Sequence, residues 1–348
     1  MKIHENKIKC YELAEKYFHS SSNRILNSWS IKKTLNDFLD PDHHVVFENN
    51  DFILPVVIKE NIATFFGGDL PYNEDNIVKS SKDLNCCIDA LQKRGVELKL
   101  TSIQNDCISY LDDAKKHMDV PYNQNWFIEN FYDFNFEEHV KNCDSKTRKR
   151  INRARQFLHD DVTKVYIEEK DYSTYRDKIF QSSVNFFELR NKKNAWADKK
   201  YLYDSLLKEF SKFENINCIL TGADGKMLGS YKLVISEEEA LLAFSNSYDI
   251  ECDYVTYALY IDAISTLQGY VKQHNLKNIF FNASRGNFGY KKKFGFKPIP
   301  MYALVDAHSW QVKYNQDLSN QETLSLYKRD FGAFTHEKGK YSLHRPPS

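Results

Sequence analysis

The sequence predicts an α/β (α+β) chain of two similar units, each a mixed, mostly antiparallel central sheet flanked by helices. Three observations predict it. Alternating apolar stretches at 45–66 and 216–248 are each cut twice by polar turns, so each reads as a three-stranded antiparallel meander. Both meanders precede a helical pattern (82–94 and 254–274) and then a further strand (96–103 and 279–281), so one order of elements occurs twice. The 348 residues also suit two domains, since about 100–200 residues per domain is usual. No residue-by-residue repeat is visible, so the duplication is one of architecture.

The elements follow in order. Leu13, Tyr17 and Phe18 mark a first helix and Ile31, Leu35 and Phe38 a second, ended by Pro41-Asp42. Strands at 45–48, 52–59 and 62–66 are joined by Asn49-Asn50-Asp51 and Glu60-Asn61. Gly67-Gly68 opens a polar loop that reaches Asn76. Helix 82–94 is stopped by Gly95, a residue that favours the position just past a helix end. Strand 96–103, a short helix near 108–117 and strand 126–131 complete the first half.

The next helix carries the densest charge. Asp144 or Ser145 can cap it, and Thr147, Ile151, Ala154 and Leu158 form its apolar stripe. Lys146, Arg148, Lys149, Arg150, Arg153 and Arg155 hold the other faces without an intervening acid. That exceeds what solubility requires of a neutral chain. Guanidinium forks match phosphate oxygens, so a phosphate-bearing ligand is the functional reading and a solvated face is the bland one. Beyond it come strand 162–168, helices 172–189 and 201–213, and strands 216–221, 227–236 and 240–248. Helix 254–274 presents Tyr257, Ile261, Ile264 and Leu267 to a core. From Ala307 the periodicity is lost, which predicts a peripheral polar tail over 307–348.

Composition excludes several classes. Hydrophobic residues at 42%, with only 12 Gly and 8 Pro, argue for packed cores and against low-complexity linkers. Forty-eight acids balance 48 bases, so nothing draws the whole chain to DNA, though a local basic stripe can still meet a polyanion. Apolar runs such as 52–58 are far too short to span a bilayer, and the first residues lack a signal-peptide core. Seven cysteines, an odd number without framework spacing, predict reduced thiols and a cytoplasmic setting. Neither a CxxC pair nor an HExxH helix is present, and His43-His44 are adjacent, so no metal site is expected.

The most informative stretch is 278–306. Asn282, Ser284 and Arg285 sit where a strand ends, the usual place for ligand contacts in open α/β sheets. Gly286 and Gly289 permit a sharp reversal that delivers Lys291, Lys292 and Lys293. Successive helical residues point about 100° apart, so the three ammonium groups cannot share a face.

Gly286-Asn287-Phe288-Gly289-Tyr290-Lys291, closed by Phe294-Gly295-Phe296, resembles the terminal motif of the Fem-like and BioF2-like branch of the GNAT N-acyltransferases. The layout from about 134 to 306 is similar too, including the basic helix. This resemblance implies tandem GNAT-like units: a degenerate one over 1–133 and an acyltransferase unit over 134–306. It implies transfer of an acyl group from acyl-CoA to an amine on a small molecule or peptide. The alternative is a Fem-like enzyme that takes its donor from aminoacyl-tRNA and forms a peptide bond on a cell-wall precursor or other amine. A GNAT-shaped binding module without turnover is the reading from another class. The donor would be a co-substrate, with no cofactor bound.

Residue roles follow from the resemblance and the chemistry together. Lys291 and Tyr290 would be catalytic or orient the donor, and Asp249 or Glu251, just past a strand end, would accept the amine proton. Arg148, Arg150, Arg153 and Arg285 would hold donor phosphates, while Asn246, Tyr248, Asn282 and Ser284 would line the cleft. Two departures stand out. Ordinary acetyl-CoA GNATs offer pyrophosphate a glycine-rich loop before the long helix, where this chain has Asp249-Ile250-Glu251-Cys252-Asp253. Ordinary GNATs often place a tyrosine four residues before the final glycine, and here Lys291 stands there relative to Gly295. Both favour the aminoacyl-tRNA alternative. In either case the lysine turn and the basic helix must close over one pocket.

Overall fold

The structure, a computed structural model, describes all residues except 22–23, 69, 75, 78–79, 104–106, 108–116, 192–193, 195, 250–251, 253, 286–288, 307–333, 338–339 and 344–348. The first elements are β1 (Lys2–His4), α1 (Lys7–Ser21), α2 (Trp29–Leu39), β2 (His43–Glu48), β3 (Ile53–Lys59), β4 (Ile62–Phe65), α3 (Ser81–Gln92) and β5 (Glu97–Ile103). Then come β6 (His117–Ile128), α4 (Phe136–Asn142), α5 (Ser145–Asp160), β7 (Val162–Ile167), α6 (Tyr172–Leu189) and α7 (Lys200–Phe210). The chain continues through β8 (Glu214–Gly222), β9 (Met227–Ile235), β10 (Glu239–Ser247), α8 (Tyr254–Gln273) and β11 (Phe280–Arg285). A 3₁₀ turn (Gly289–Phe294), β12 (Lys297–Asp306) and a hairpin of β13 (Phe334–Glu337) and β14 (Lys340–Leu343) follow.

Two compact units form. Unit 1 holds Met1–Asn125, Arg285–Asn287 and Ile299–Ser348; unit 2 holds Trp126–Ser284 and Phe288–Pro298. The division falls before the expected 133/134 boundary because β6 begins at His117, and its first part belongs to unit 1. Residues from Ile299 also return to unit 1, where β12 pairs antiparallel with β5 (Tyr302 opposite Ile103, Leu304 opposite Leu100). Most of the tail expected at 307–348, and all of the short helix expected at 108–117 except His117, lie outside the described residues.

In unit 1 the strand order is β1-β2-β3-β4-β5-β12. The β2-β3-β4 meander is antiparallel, and β4 then pairs parallel with β5 across helix α3. Its core joins Ala14 and Phe18 of α1 to Val56, Phe65, Phe66, Leu84, Ile88 and Leu98. Unit 2 repeats the scheme in the order β6-β11-β10-β9-β8-β7. Its meander β8-β9-β10 is antiparallel, and β10 pairs parallel with β11 across α8. The predicted stripe of α5 (Thr147, Ile151, Ala154, Leu158) is buried, and its apolar members enter a core with Leu233, Leu259, Ile264 and Phe281.

Strand β9 is buried along its whole length, which identifies it as covered on both faces. Alternation sends Tyr231 toward α8, where its hydroxyl donates to Asp262 at 2.7 Å. Ser230 and Lys232 take the opposite face.

Candidate functional site

The site in unit 2 starts from an incomplete pairing. β10 and β11 are in register only at Glu239–Phe280, Ala240–Phe281 and Leu241–Asn282. Both strands then run on, β10 to Ser247 and β11 to Arg285, with no further register between them. The two parallel strands therefore diverge into a splay.

Each wall of the splay is held by its own side chains. On β10 the register against β9 shifts between Ala243 and Asn246, a bulge that increases local twist. Phe244, in the bulge, has φ +51°, an uncommon conformation for a bulky residue. Its ring is gripped by Trp196, Tyr203 and Phe210 at centroid distances of 5.5, 4.6 and 5.9 Å. Asn246 turns its amide back to the Phe244 carbonyl at 3.1 Å. Tyr248 is buried, with its hydroxyl 2.5 Å from Ser230 Oγ, and burial pushes its phenol well above the ordinary range.

On β11, Asn282 Nδ2 donates to Glu239 Oε1 at 2.7 Å, and Asn282 Oδ1 accepts the Ser284 N–H at 2.7 Å. Glu239 and Asn282 are both fully buried, and Ser284 has φ +58°. Lys291 is 3% exposed, and its ammonium donates to the carbonyls of Ala283 (2.7 Å) and Ser284 (3.1 Å). The groups that a neighbouring strand would normally satisfy are thus met from within β11 and the turn behind it.

The three lysines of the 3₁₀ turn do diverge: Lys291 is buried, Lys292 exposed, and Lys293 donates to the Tyr257 hydroxyl at 2.7 Å. Tyr290 is partly buried with its ring edge-on to Tyr260 at 5.7 Å, and burial raises its phenol above 10, so it stays protonated. Phe294 stacks on Tyr260 at 4.8 Å. Gly295 has φ +93°, and a Cβ there would come within 2.5 Å of the Phe134 ring, so the final glycine of the motif is required twice over. Gly286, Asn287 and Phe288 lie outside the described residues.

Helix α5 packs on α8. Asp144 caps it through the Thr147 N–H (2.9 Å) and hydroxyl (2.6 Å), and those two bonds hold its carboxyl below the usual range. Arg153 Nη1 donates to the hydroxyl of Tyr254, the first residue of α8, at 3.3 Å. Arg148 instead reaches the Lys141 carbonyl, Arg155 pairs with Glu137, and Arg150 is partly buried. Tyr254, touched by Arg153, and Tyr257, touched by Lys293, are three residues apart, about 4.5 Å along the axis. The arginine helix and the lysine turn therefore meet on the first turns of one helix.

Asp249 is mostly buried, and Lys226 Nζ is 3.8 Å from it. Of the other acids expected before α8, Glu251 and Asp253 lie outside the described residues, as does Ile250. Arg285 falls elsewhere. It belongs to unit 1, bonded to Ser102 Oγ, the Leu70 carbonyl and the buried carboxylate of Glu74 at 3.3, 3.3 and 3.5 Å. The loop that Gly67-Gly68 opens is also part of unit 1.

Sequence reasoning passed over Glu239, Phe244 and Lys232. Glu239 is one acid in a run of three, and nothing marks Phe244 as the residue of a bulge. Lys232 did carry a signal, a lone cation inside an apolar strand. It is 1% exposed, salt-bridged to Glu169 at 2.6 Å and bonded to Asn217 at 2.9 Å, on the same face as Ser230. Burial draws its ammonium below the ordinary lysine value, and Glu169 opposes that.

Cavities of about 560 and 620 Å³ open elsewhere, one beside Lys7, His43 and Arg94 in unit 1, the other beside Tyr132, Phe134 and Lys272 in unit 2. Neither includes a residue of the splay. Among the described residues no cluster of His, Cys, Asp and Glu could hold a metal, and no helix is long and apolar enough to cross a membrane.

No protein-family model matches the sequence, and no curated protein matches it either. Solved structures do match. The C-terminal DUF2156 domain of an Agrobacterium fabrum protein, provisionally named lysylphosphatidylglycerol synthetase, superposes with a TM-score of 0.55 at 13% identity, covering 93% of this chain and 95% of that one. L-PGS from Bacillus licheniformis gives 0.53 at 13% identity over 95% and 98%. FemX gives 0.53 at 8% identity over 91% and 100%. At such identities the likeness is one of fold: this chain has a GNAT-like fold in its two-unit, Fem-type form.

Proposed function

We propose that the chain is an acyl-group transferase that works in the splay of unit 2, moving an aminoacyl or acyl group onto an amine. One observation carries this: two diverging parallel strands, one bulged, open beside the first turn of a long helix where Arg153 already stands. A helix start offers free N–H groups and a positive dipole end, and an arginine fork adds phosphate-matching donors. The splay then gives an extended acyl donor a place to lie against strand backbone, with its carbonyl at the bulge.

In the reaction the amine nitrogen attacks the donor carbonyl carbon, forming a C–N bond and a tetrahedral oxyanion. The C–O or C–S bond to the carrier then breaks. Net, one proton leaves the nitrogen and one reaches the departing oxygen or sulfur. Asp249 is the carboxylate for the first proton and Tyr290, kept protonated by burial, the donor for the second. Asn246 and Tyr248 brace β10, while Asn282, Ser284 and Lys291 brace β11. The acceptor amine belongs to a small molecule or peptide.

The donor reading with more support is aminoacyl-tRNA. Lys146, Arg148, Lys149 and Arg153 are all exposed on α5, more cations than one pyrophosphate needs. The name of one structural neighbour speaks of a lysyl group joined to phosphatidylglycerol. Acyl-CoA is the second reading, favoured by the helix start beside the splay. The test is to incubate the purified chain with acetyl-CoA and with charged tRNA in the presence of candidate amines, and to weigh the products. Product from acetyl-CoA alone removes the tRNA reading. Donor binding without any product supports an inert GNAT-shaped module.

A further inference from the structure

Unit 1 repeats the splay but fills it. Strands β4 and β5 are parallel and in register only at Ile62–Glu97 and Ala63–Leu98, after which β4 runs to Phe65 and β5 to Ile103. In unit 2 the matching gap is braced by side chains. Here Asn73, Glu74, Asn76 and Ile77, from one segment of the chain itself, cross it.

Each end of that segment is fastened to one wall. Asn73 Nδ2 donates to the carbonyls of Phe66 (3.1 Å) and Gly68 (2.5 Å), which follow β4 directly. Asn76 forms a parallel bridge with Ile103, its N–H donates to the Ser102 carbonyl at 3.0 Å, and its Nδ2 donates to the Thr101 carbonyl at 3.0 Å. Lys32 of α2 ties the two ends together, giving its ammonium to Asn73 Oδ1 (2.7 Å), Asn76 Oδ1 (3.1 Å) and the Glu74 carbonyl (2.6 Å). Tyr17 then donates its hydroxyl to the Ile77 carbonyl at 2.6 Å. Lys32, Asn73, Glu74 and Asn76 are all 0–1% exposed. A solvated loop does not bury three polar residues of its own, and a lysine with three oxygen acceptors is a built cross-link.

We infer that Asn73, Glu74, Asn76 and Ile77 form an internal plug occupying the place in unit 1 that the donor takes in unit 2, so that each chain has one donor site. The plug makes with β5 the main-chain contacts that an extended donor arm would make, and Lys32 locks it. Arg285, which a sequence reading gives to the donor, belongs to this plug through Glu74, Ser102 and Leu70. The assignment rests on the proposed transferase reading only in naming the excluded ligand a donor.

Hydrogen–deuterium exchange on the intact chain tests the plug without any donor. Peptides covering 72–77 and 98–103 should exchange as slowly as core strand β3, and Lys32→Met should speed exchange at 72–77 by at least ~10-fold while 239–247 is unchanged. Exchange of 72–77 in the wild type at the rate of an open loop would overturn the inference, whether or not the variant folds. Binding stoichiometry by native mass spectrometry with acetyl-CoA and with charged tRNA is the second arm. One donor per chain supports it. Two per chain, with 97–103 newly protected, overturns it. If neither probe binds, the transferase reading loses its donor while exchange still decides the plug.

Discussion

Lys291 shows how a residue singled out for its charge acts through its position. Its ammonium is spent on two strand carbonyls, next to a serine at φ +58° that Asn282 and Glu239 hold from the other side. Lys291→Met would leave those carbonyls without their donor in a buried setting, a loss of about 1–3 kcal/mol. The β11 wall would shift, and a misplacement near 1 Å can cost ~10²-fold in rate. Steady-state kinetics on the active donor should therefore show kcat down by roughly that factor, with donor KM changed far less. A large rise in KM at constant kcat would instead mean that Lys291 meets the donor's charge.

His44 makes a prediction about pH. Its ring is buried against Phe66 and Tyr11, takes the Asn36 amide at 3.0 Å, and is faced by Lys7, His43, Asp37 and Asp40. Burial first, then Lys7, lower its pKa from 6.5, with the two aspartates opposing. The unfolded chain thus binds this proton more readily than the folded one. The stability it contributes is whole above pH 6.5 and is lost as pH falls through the lower folded value. Urea unfolding at pH 7.5 and pH 5 should show a smaller drop for His44→Asn than for the wild type.

Among elements, α5 carries the densest run of cations, and its cap fixes where it begins. Asp144 bonds both the N–H and the hydroxyl of Thr147, so Asp144→Ala should lower the midpoint of thermal or urea denaturation. Its buried stripe then turns Arg153 toward Tyr254. Arg153→Ala should raise donor KM about 10-fold, the loss of one charge-assisted contact, with a shallower salt dependence of binding. An unchanged salt slope would remove α5 from the donor site.

Elements were the scale at which the sequence was most legible. Both meanders, the capped basic helix and the long helix follow from periodicity and turn residues, since each is decided within ~20 neighbouring positions. The site was legible only at its ends. Asn282, Ser284 and Lys291 stand out by their place at a strand end and in a glycine-rich turn. Glu239 and the Phe244 bulge carry no local mark, because the partners that hold or bury them come from Trp196, α7 and β11. Arg285 shows the same limit: a strand-end position is readable, but which side chains receive it is a matter of tertiary packing.

On the scale of the whole molecule, each unit repeats the order meander, crossover helix, parallel strand, yet they treat the gap at the end of that strand in opposite ways. One leaves it to side chains and the other closes it with chain. The return of β12 to unit 1 was invisible in sequence, since nothing local tells a strand which distant sheet it will join. Removing residues 299–348 should therefore destabilise unit 1 by at least ~2 kcal/mol, the scale of a lost core side chain. Faster hydrogen exchange at 97–103, with 227–235 unaffected, would register it; no change there would mean β12 contributes little to that sheet.

The most direct measurement is a product assay in which the wild type, Lys291→Met and Arg153→Ala are each given charged tRNA or acetyl-CoA with a panel of amines, read by mass spectrometry. The account predicts an amide product from at least one donor, with turnover cut ~10²-fold by Lys291→Met and apparent donor affinity cut by Arg153→Ala. A product formed equally well by all three proteins, or saturating donor binding that never yields an amide, would contradict it.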